Sequence, residues 1–394
     1  MRQQKLSMYL FIDALGYEIV QRHPFFLEGL AADRKRLRTI FGYSSACDPS
    51  IISGLLPCQH LMWSSFYYAP QTSPFRPLRW LGLLPSALLD RGRVRARLSR
   101  LIKKLYGFTG YFQLYTVPFR YLKLFDYAEK RSIWHEGLLR GKTIFNRLRE
   151  ERIPYSVHQS GTSDEARLQR LLGQIEAGEP AFAYVSLGRL DALLHAVSTW
   201  DEKVGELLRW YDGWVRKLVE AARRNYEQVE WYVFADHGMH DVTGGYDLER
   251  DVAATGLRFG TDYVAFYDST MARFWFLNDG ARATIAAALA EHPRGRIVPD
   301  EELKRLGVFF PDGMYGNLIF LLRAPLQIAP SFMGTKAIAG MHGYHPDDAD
   351  SYTVMYASRP LPAALETIHQ IHGLMLEDLG LPPLPLEPGI PTAP

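Results

Sequence analysis

Three aspartates and three histidines, residue types that ligate divalent metal ions, fall in four short stretches of the chain. Asp13 closes the apolar run of FIDALGY, and Asp191 and His195 stand four apart in LGRLDALLH. Asp236 and His237 open the run DHGMHD, and His342 sits in GMHGYHP. Residues four apart on one helical turn face one way and can grip one ion. Between the first two stretches, residues 43–60 (YSSACDPSIISGLLPCQH) offer serines in a turn entering a helix, with Gly54, Pro57 and His60 behind. Taken singly, each stretch has a plain reading: Asp13 as a turn cap, Asp191 with His195 as an exposed helical pair, Asp236 and His237 as loop residues. Their order joins them.

That order resembles the type I phosphodiesterase and nucleotide pyrophosphatase branch of the alkaline phosphatase superfamily. The pattern there is an aspartate after the first strand, then a Thr or Ser ten residues before the Gly of TG-x-x-P-x-x-H. It goes on through D-x-x-x-H and DHGM to a late GxHG. This chain shows Asp13, SG-x-x-P-x-x-H at 53–60, Asp191 with His195, DHGM at 236–239 and GMHG at 340–343. The resemblance implies that Asp191, His195 and His342 hold one divalent ion, and that Asp13, Asp236 and His237 hold a second together with the nucleophile. Mixed imidazole and carboxylate ligands suit zinc first and manganese second. One ion would lower the pKa of a serine hydroxyl, and the other would stabilise the leaving oxygen and then activate water.

Counting ten back from Gly54 makes Ser44 the expected nucleophile, with Ser45 its neighbour and rival. Ser65 stands where the family carries a phosphate-binding asparagine, and Leu61 replaces a glycine. The reaction implied is hydrolysis of a phosphodiester or pyrophosphate bond in a small phosphate ester of nucleotide or nucleotide-sugar type, through a phosphoryl-serine. Rivals are a phosphomonoesterase, a phosphonate hydrolase or a phosphotransferase on the same site. A non-enzymatic rival is an inactive metal-binding scaffold for an acidic partner or membrane. C-D-P-S at 47–50 imitates a sulfatase motif but lacks its arginine, with Ile51 in that place, and Cys47 lies too close to Gly54.

Positioning these groups needs strands that end where they begin. Runs at 7–12, 36–41, 181–187 and 230–235 read as strands, and helical spacing covers 141–151, 201–224 and a segment starting at about Asp48. Alternation of the two predicts an α/β fold with an alkaline-phosphatase-like core: a central, mostly parallel sheet flanked by helices. Reactive groups in such sheets gather beyond the carboxyl ends of the strands. The core is expected over 1–69, 136–259 and 326–380. Residues 260–325 read as a smaller α+β lobe, residues 70–135 as a basic aromatic insertion over the sheet, and 381–394 as a Pro-rich extended tail.

The insertion carries DRGRVRARLSRLIKK at 90–104, seven basic residues against one acid, among many aromatics. One reading is a lid meeting phosphate, a base or a lipid surface, with peripheral membrane contact through 90–121. The favoured reading is a solvated basic helix packed through Leu98, Leu101 and Ile102. A net charge of +2 offers no global field for nucleic acid. Two cysteines, Cys47 and Cys58, make no disulfide framework and read as small packed residues, and His240 and His345 as solvated loop histidines. Without a leader-like start or a long apolar run, the expectation is a soluble, cytoplasmic protein.

Overall fold

The computed structural model describes residues 3–83, 89, 91–159, 161–383 and 390. At its centre the strand Gln3–Ile12 divides its side chains between two layers by simple alternation. Leu6, Met8, Leu10 and Ile12 join the apolar cluster on one face, and Tyr9 and Phe11 the cluster on the other. Each such side chain contributes roughly 1.5–3 kcal/mol on leaving water. Phe182–Leu187 and Tyr226–Phe234 lie parallel on either side and split in the same way. Burial on both faces explains why these strands read as near-continuous apolar runs.

The whole sheet has six strands in the order Asp33–Leu37, Thr353–Ala357, Tyr226–Phe234, Gln3–Ile12, Phe182–Leu187, Tyr155–His158. Thr353–Ala357 runs antiparallel to both its neighbours and the remaining pairs are parallel. It therefore begins at the edge where the others end. Helices Asp164–Glu176, Arg189–Leu194 and Glu202–Asn225 cover one face, and Ser44–Ser53, Ile144–Glu150 and Ile371–Leu379 the other. This is the expected α/β architecture.

Several boundaries differ from the sequence expectation: two central strands start earlier, at Gln3 and Tyr226, and the helix expected from 141 starts at Ile144. The strand near residue 36 spans Asp33–Leu37 and not 36–41, because DRKRL is a charged edge strand with alternate residues exposed and little apolar signal. The helix expected from about Asp48 starts at Ser44. Pro49, which reads as a first helical residue, lies inside it. So early in the helix a proline forfeits one backbone hydrogen bond and the rest of the turn survives.

The lobe is a four-stranded antiparallel sheet, ordered Tyr263–Tyr267, Met271–Phe276, Leu318–Leu322, Gly295–Val298, with helix Asp279–Ala290 packed on it. Most of the insertion packs on this lobe, while its end, Ile133 and Trp134, joins the core of the main sheet, with the Trp134 ring 5.3 Å from Tyr184. Phe66, Phe75, Ile102, Phe112 and Phe125 share one apolar cluster with Val264, Phe266 and Phe274. Within the insertion, Ile102 is buried and Leu98 half-buried, but Leu101 is 52% exposed, against the expected inward packing. Of the Pro-rich end, 384–389 and 391–394 lie outside the described residues, as does Asp90 of the basic run.

Candidate active site

Ile12, Leu187 and Phe234 end three neighbouring parallel strands, and the acids follow directly. Asp13 is the next residue, Asp236 comes two residues after Phe234, and Asp191 sits on the short helix Arg189–Leu194 with His195 at its end. Ser44 opens its helix beyond Asp33–Leu37, and His342 precedes the reversed strand Thr353–Ala357. The topology thus brings groups spread over some three hundred residues to one edge.

The contacts there are close. Asp191 Oδ1 lies 3.3 Å from His195 Nε2 and 3.8 Å from His342 Nε2. His237 Nε2 lies 3.0 Å from Asp236 Oδ2, 3.7 Å from Asp13 Oδ1 and 3.1 Å from Ser44 Oγ. The rings of His237 and His342 stack with centroids 3.6 Å apart. His195 Nδ1–H donates to the Gly340 carbonyl and His237 Nδ1–H to the Gly238 carbonyl, which turns each Nε2 toward the cluster. Gly238 is required here, since a Cβ would come within 2.1 Å of the Asp350 carbonyl oxygen.

Ligand atoms converge in two groups: Asp191, His195 and His342 in one, and Asp13, Asp191 and His237 in the other, each within 4.8 Å. Asp191 therefore stands between the two groups. The side chains suit cations and little else. Asp13 Oδ1, Asp191 Oδ1, Asp236 Oδ2 and His342 Nδ1 are buried without a hydrogen-bond partner. Burial, then the charges of Asp236, Asp191 and Asp48, push the Asp13 carboxyl well above the usual range. Burial likewise raises Asp191, against the pull of His195 and His237. Burial pulls His237 down, but Asp236 beside it wins and holds the imidazole up at about 9. His342 is driven well down by burial and by the neighbouring imidazoles. Crowded, desolvated carboxylates beside inward-facing imidazole nitrogens are what two divalent ions would relieve.

Of the two serines, Ser44 holds the hydrogen bond to His237, while Ser45 makes none among the described residues. Both line a cavity of about 730 Å³ with Asp13, Asp191, His195 and His342. Ser65 is on its wall as well. His60 of the SG-x-x-P-x-x-H stretch is not. It is fully buried behind the helix, with Nε2 3.0 Å from Ser50 Oγ. Cys47 is buried too, away from the cavity, and Cys58 is half-buried; both are free thiols. His240 and His345 are not solvated: His240 is buried against Ser351 Oγ at 3.0 Å, and His345 lies 2.9 Å from Glu302. Their loops fold back onto neighbouring elements.

Several wall residues carried no expectation from the sequence. Asp48, one turn after Ser44, faces the cavity with an unpartnered Oδ1. A helix started at Ser44 would have revealed it by spacing. Lys103, Tyr111, Tyr115 and Glu129 come from the insertion and its return, and Asp268 from the lobe. Burial lifts Glu129 to about 7. Asp268 is held by the fully buried Arg273, which also donates to Phe66 O and Ser64 Oγ. No local pattern marks these.

Acids and imidazoles gathered beyond the carboxyl edge of a mostly parallel, helix-flanked sheet define an alkaline-phosphatase-like α/β fold. Residues 34–345 match the family model for type I phosphodiesterase / nucleotide pyrophosphatase. The chain belongs to that family and is an enzyme of its hydrolase type. The family is metal-dependent, in keeping with the acid and imidazole groups. Among solved structures the chain is similar to murine ectonucleotide pyrophosphatase / phosphodiesterase 5, with a TM-score of 0.66 at 14% identity over 98% of this chain and 97% of that one. The human protein of that name gives 0.67 at 12% identity over the same shares. An inactive variant of the murine protein in complex with AMP gives 0.65 at 14%. No curated protein matches the chain.

Proposed function

We propose that this enzyme hydrolyses a phosphodiester or pyrophosphate bond in a nucleotide-like small molecule, with Ser44 as the nucleophile. The observation that carries it is the meeting of Ser44 Oγ with five converging ligand-type side chains and Asp236 beside them, among which Asp13 Oδ1, Asp191 Oδ1 and Asp236 Oδ2 are buried without a hydrogen-bond partner. Asp191, His195 and His342 would hold one ion, and Asp13, Asp236 and His237 the other beside Ser44, with Asp191 converging on the second group closely enough to serve it too, and zinc the best match to the donors. Ions bound there supply a lowered hydroxyl pKa and charge compensation at the phosphoryl oxygens.

The chain's own part follows from its geometry. Ser44 Oγ attacks phosphorus, a P–O bond to the protein forms, and the bond to the leaving oxygen breaks. Water then cleaves the Ser44–phosphorus bond, which releases a phosphomonoester and restores the hydroxyl. Ser44 is the first residue of its helix, where backbone N–H groups lack intrahelical partners and the dipole favours an anion. Ser65 can donate a hydrogen bond to a phosphoryl oxygen from the wall.

The cavity is of ligand size, and Tyr43, Tyr111, Tyr115 and Trp134 bring aromatic side chains to its wall, as a site for a base would. AMP in the complex of the murine structural neighbour supports the nucleotide class. Nitrophenol release from the bis-ester and mono-ester of phosphate by zinc-loaded and manganese-loaded protein tests this. Preference for the bis-ester is expected. Preference for the mono-ester would overturn the diester assignment, and no cleavage with both ions bound would overturn the reaction.

A further inference from the structure

One surface of the molecule is left unused by the site. Between Pro70 and Phe125 the sequence has eleven lysines and arginines and a single acid, Asp90, in a chain whose net charge is only +2. Helix Gly92–Leu105 buries Arg95, Ser99 and Ile102, and turns Arg93, Arg97, Arg100 and Lys104 outward at three- and four-residue spacing. None of these four, nor Arg79, makes an ion pair among the described residues. Exposed charge alone would be a solvated face.

The apolar side chains among them say otherwise. On the same helix Leu101 and Leu105, one turn apart, are 52% and 70% exposed, flanking the cationic stripe. On the neighbouring turn Arg76–Leu83, Trp80 and Leu83 are 62% and 78% exposed, with the Arg79 guanidinium 4.7 Å over the Trp80 ring. Both elements pack on the Phe119–Leu122 turn, the second through extensive contact and the first through Arg95, stacked 4.1 Å over Phe119. A stripe of unpaired arginines beside leucines and an interfacial tryptophan is the composition of a surface that lies in a lipid headgroup layer.

We infer that this face of the insertion seats the enzyme on an anionic lipid surface. Charge complementarity selects the sign of the surface. The leucines select lipid over nucleic acid, because aliphatic side chains gain nothing from a phosphate backbone but do from acyl chains. Among the described residues no helix is long and apolar enough to cross a membrane, so the contact is peripheral. Lys103, on the same helix, lines the catalytic cavity, which sets the seated face beside the pocket wall. The inference does not depend on which phosphate ester is cleaved.

The test is flotation of the full chain with vesicles of phosphatidylcholine alone or mixed with phosphatidylglycerol, at low and high salt. Binding to the mixed vesicles only, lost as salt shortens the Debye length below ~10 Å, is expected. Arg97→Glu with Arg100→Glu should lower the partition coefficient by about tenfold or more. Leu101→Ser with Leu105→Ser should lower it with the charge intact. The Trp80 contribution to emission, read as the difference from Trp80→Phe, should shift blue on vesicles. Unchanged melting temperatures and unchanged turnover of a soluble ester would show that the variants fold. No binding to mixed vesicles at low salt overturns the inference. So does heparin binding as tight as vesicle binding that both leucine substitutions leave untouched, since that marks a general polyanion site.

Discussion

Ser44 Oγ stands 3.1 Å from His237 Nε2, and the other nitrogen of that imidazole is committed to the Gly238 carbonyl. The hydroxyl is thereby held at the cluster by a ring that cannot swing away without breaking its own backbone hydrogen bond. Ser45, adjacent on the cavity wall, has no such tie. Ser44→Ala is therefore expected to lower turnover of a bis-ester by at least ~10³-fold, as loss of a nucleophile does. Ser45→Ala should stay within about tenfold of the parent. Steady-state nitrophenol release decides it, with metal content checked in each variant. The assignment sinks if Ser45→Ala is the silent enzyme.

Asp191 belongs to both groups of converging ligand atoms, whereas His195 belongs to one. Asp191→Asn weakens a donor to both proposed ion sites, and His195→Ala weakens a donor to one. Metal analysis after dialysis should find both equivalents depleted in the first variant and one retained in the second. Equal losses in the two variants would show that Asp191 serves a single site.

How far this site could be read from the sequence depends on where its parts lie. Asp13, Asp191, His195, Asp236 and His237 were legible because each sits just past a strand that is buried on both faces and so reads as an apolar run. Edge strand Asp33–Leu37 was blurred, because a strand exposed on one side and rich in Arg and Lys carries no such signal. The start of the helix at Ser44 carries no capping side chain to announce it, and with it goes the one clue to Asp48. The insertion was seen as basic and aromatic, but its partner was not. Contacts such as Phe66 on Phe266 join residues two hundred apart without any periodicity to announce them.

Arg273 and Asp268 form a fully buried ion pair at 2.7 Å in the lobe, and Asp268 also faces the catalytic cavity. Removing the guanidinium leaves a desolvated carboxylate with the Ser64 hydroxyl, at 3.4 Å, as its remaining donor, and takes a charged donor from the Phe66 carbonyl. Arg273→Met should cost about 3–5 kcal/mol, the penalty for stranding one half of a buried pair. Adding Asp268→Asn should restore part of that loss. Urea denaturation of the single and double variants measures the coupling, and a double variant as unstable as the sum of its singles would refute it.

His60 couples the stability of the fold to pH. Its Nδ1 accepts the Met62 backbone N–H at 3.1 Å, and its Nε2–H faces Ser50 Oγ at 3.0 Å, whose own hydroxyl donates to the Ala46 carbonyl. A second ring proton would have to displace the Met62 N–H, in a site with no water access. Burial, then the Arg140 charge, accordingly pull His60 down to about 3. In the unfolded chain the group titrates near ~6.5. Between those values the unfolded state binds the proton and the folded state does not, so stability rises with pH and is lost as pH falls below ~6.5. The contribution is about 1.4 kcal/mol per pH unit until pH approaches ~3. His60→Gln keeps an amide donor for Ser50 and removes the titration. Chemical denaturation in steps from pH ~7 to ~4, with chelator in both proteins so that the metal ligands titrate alike, should give the variant the shallower slope by that amount. Parallel slopes would mean that His60 gains its proton in the folded protein, and that the helix carrying Ser44 is not anchored by a neutral ring.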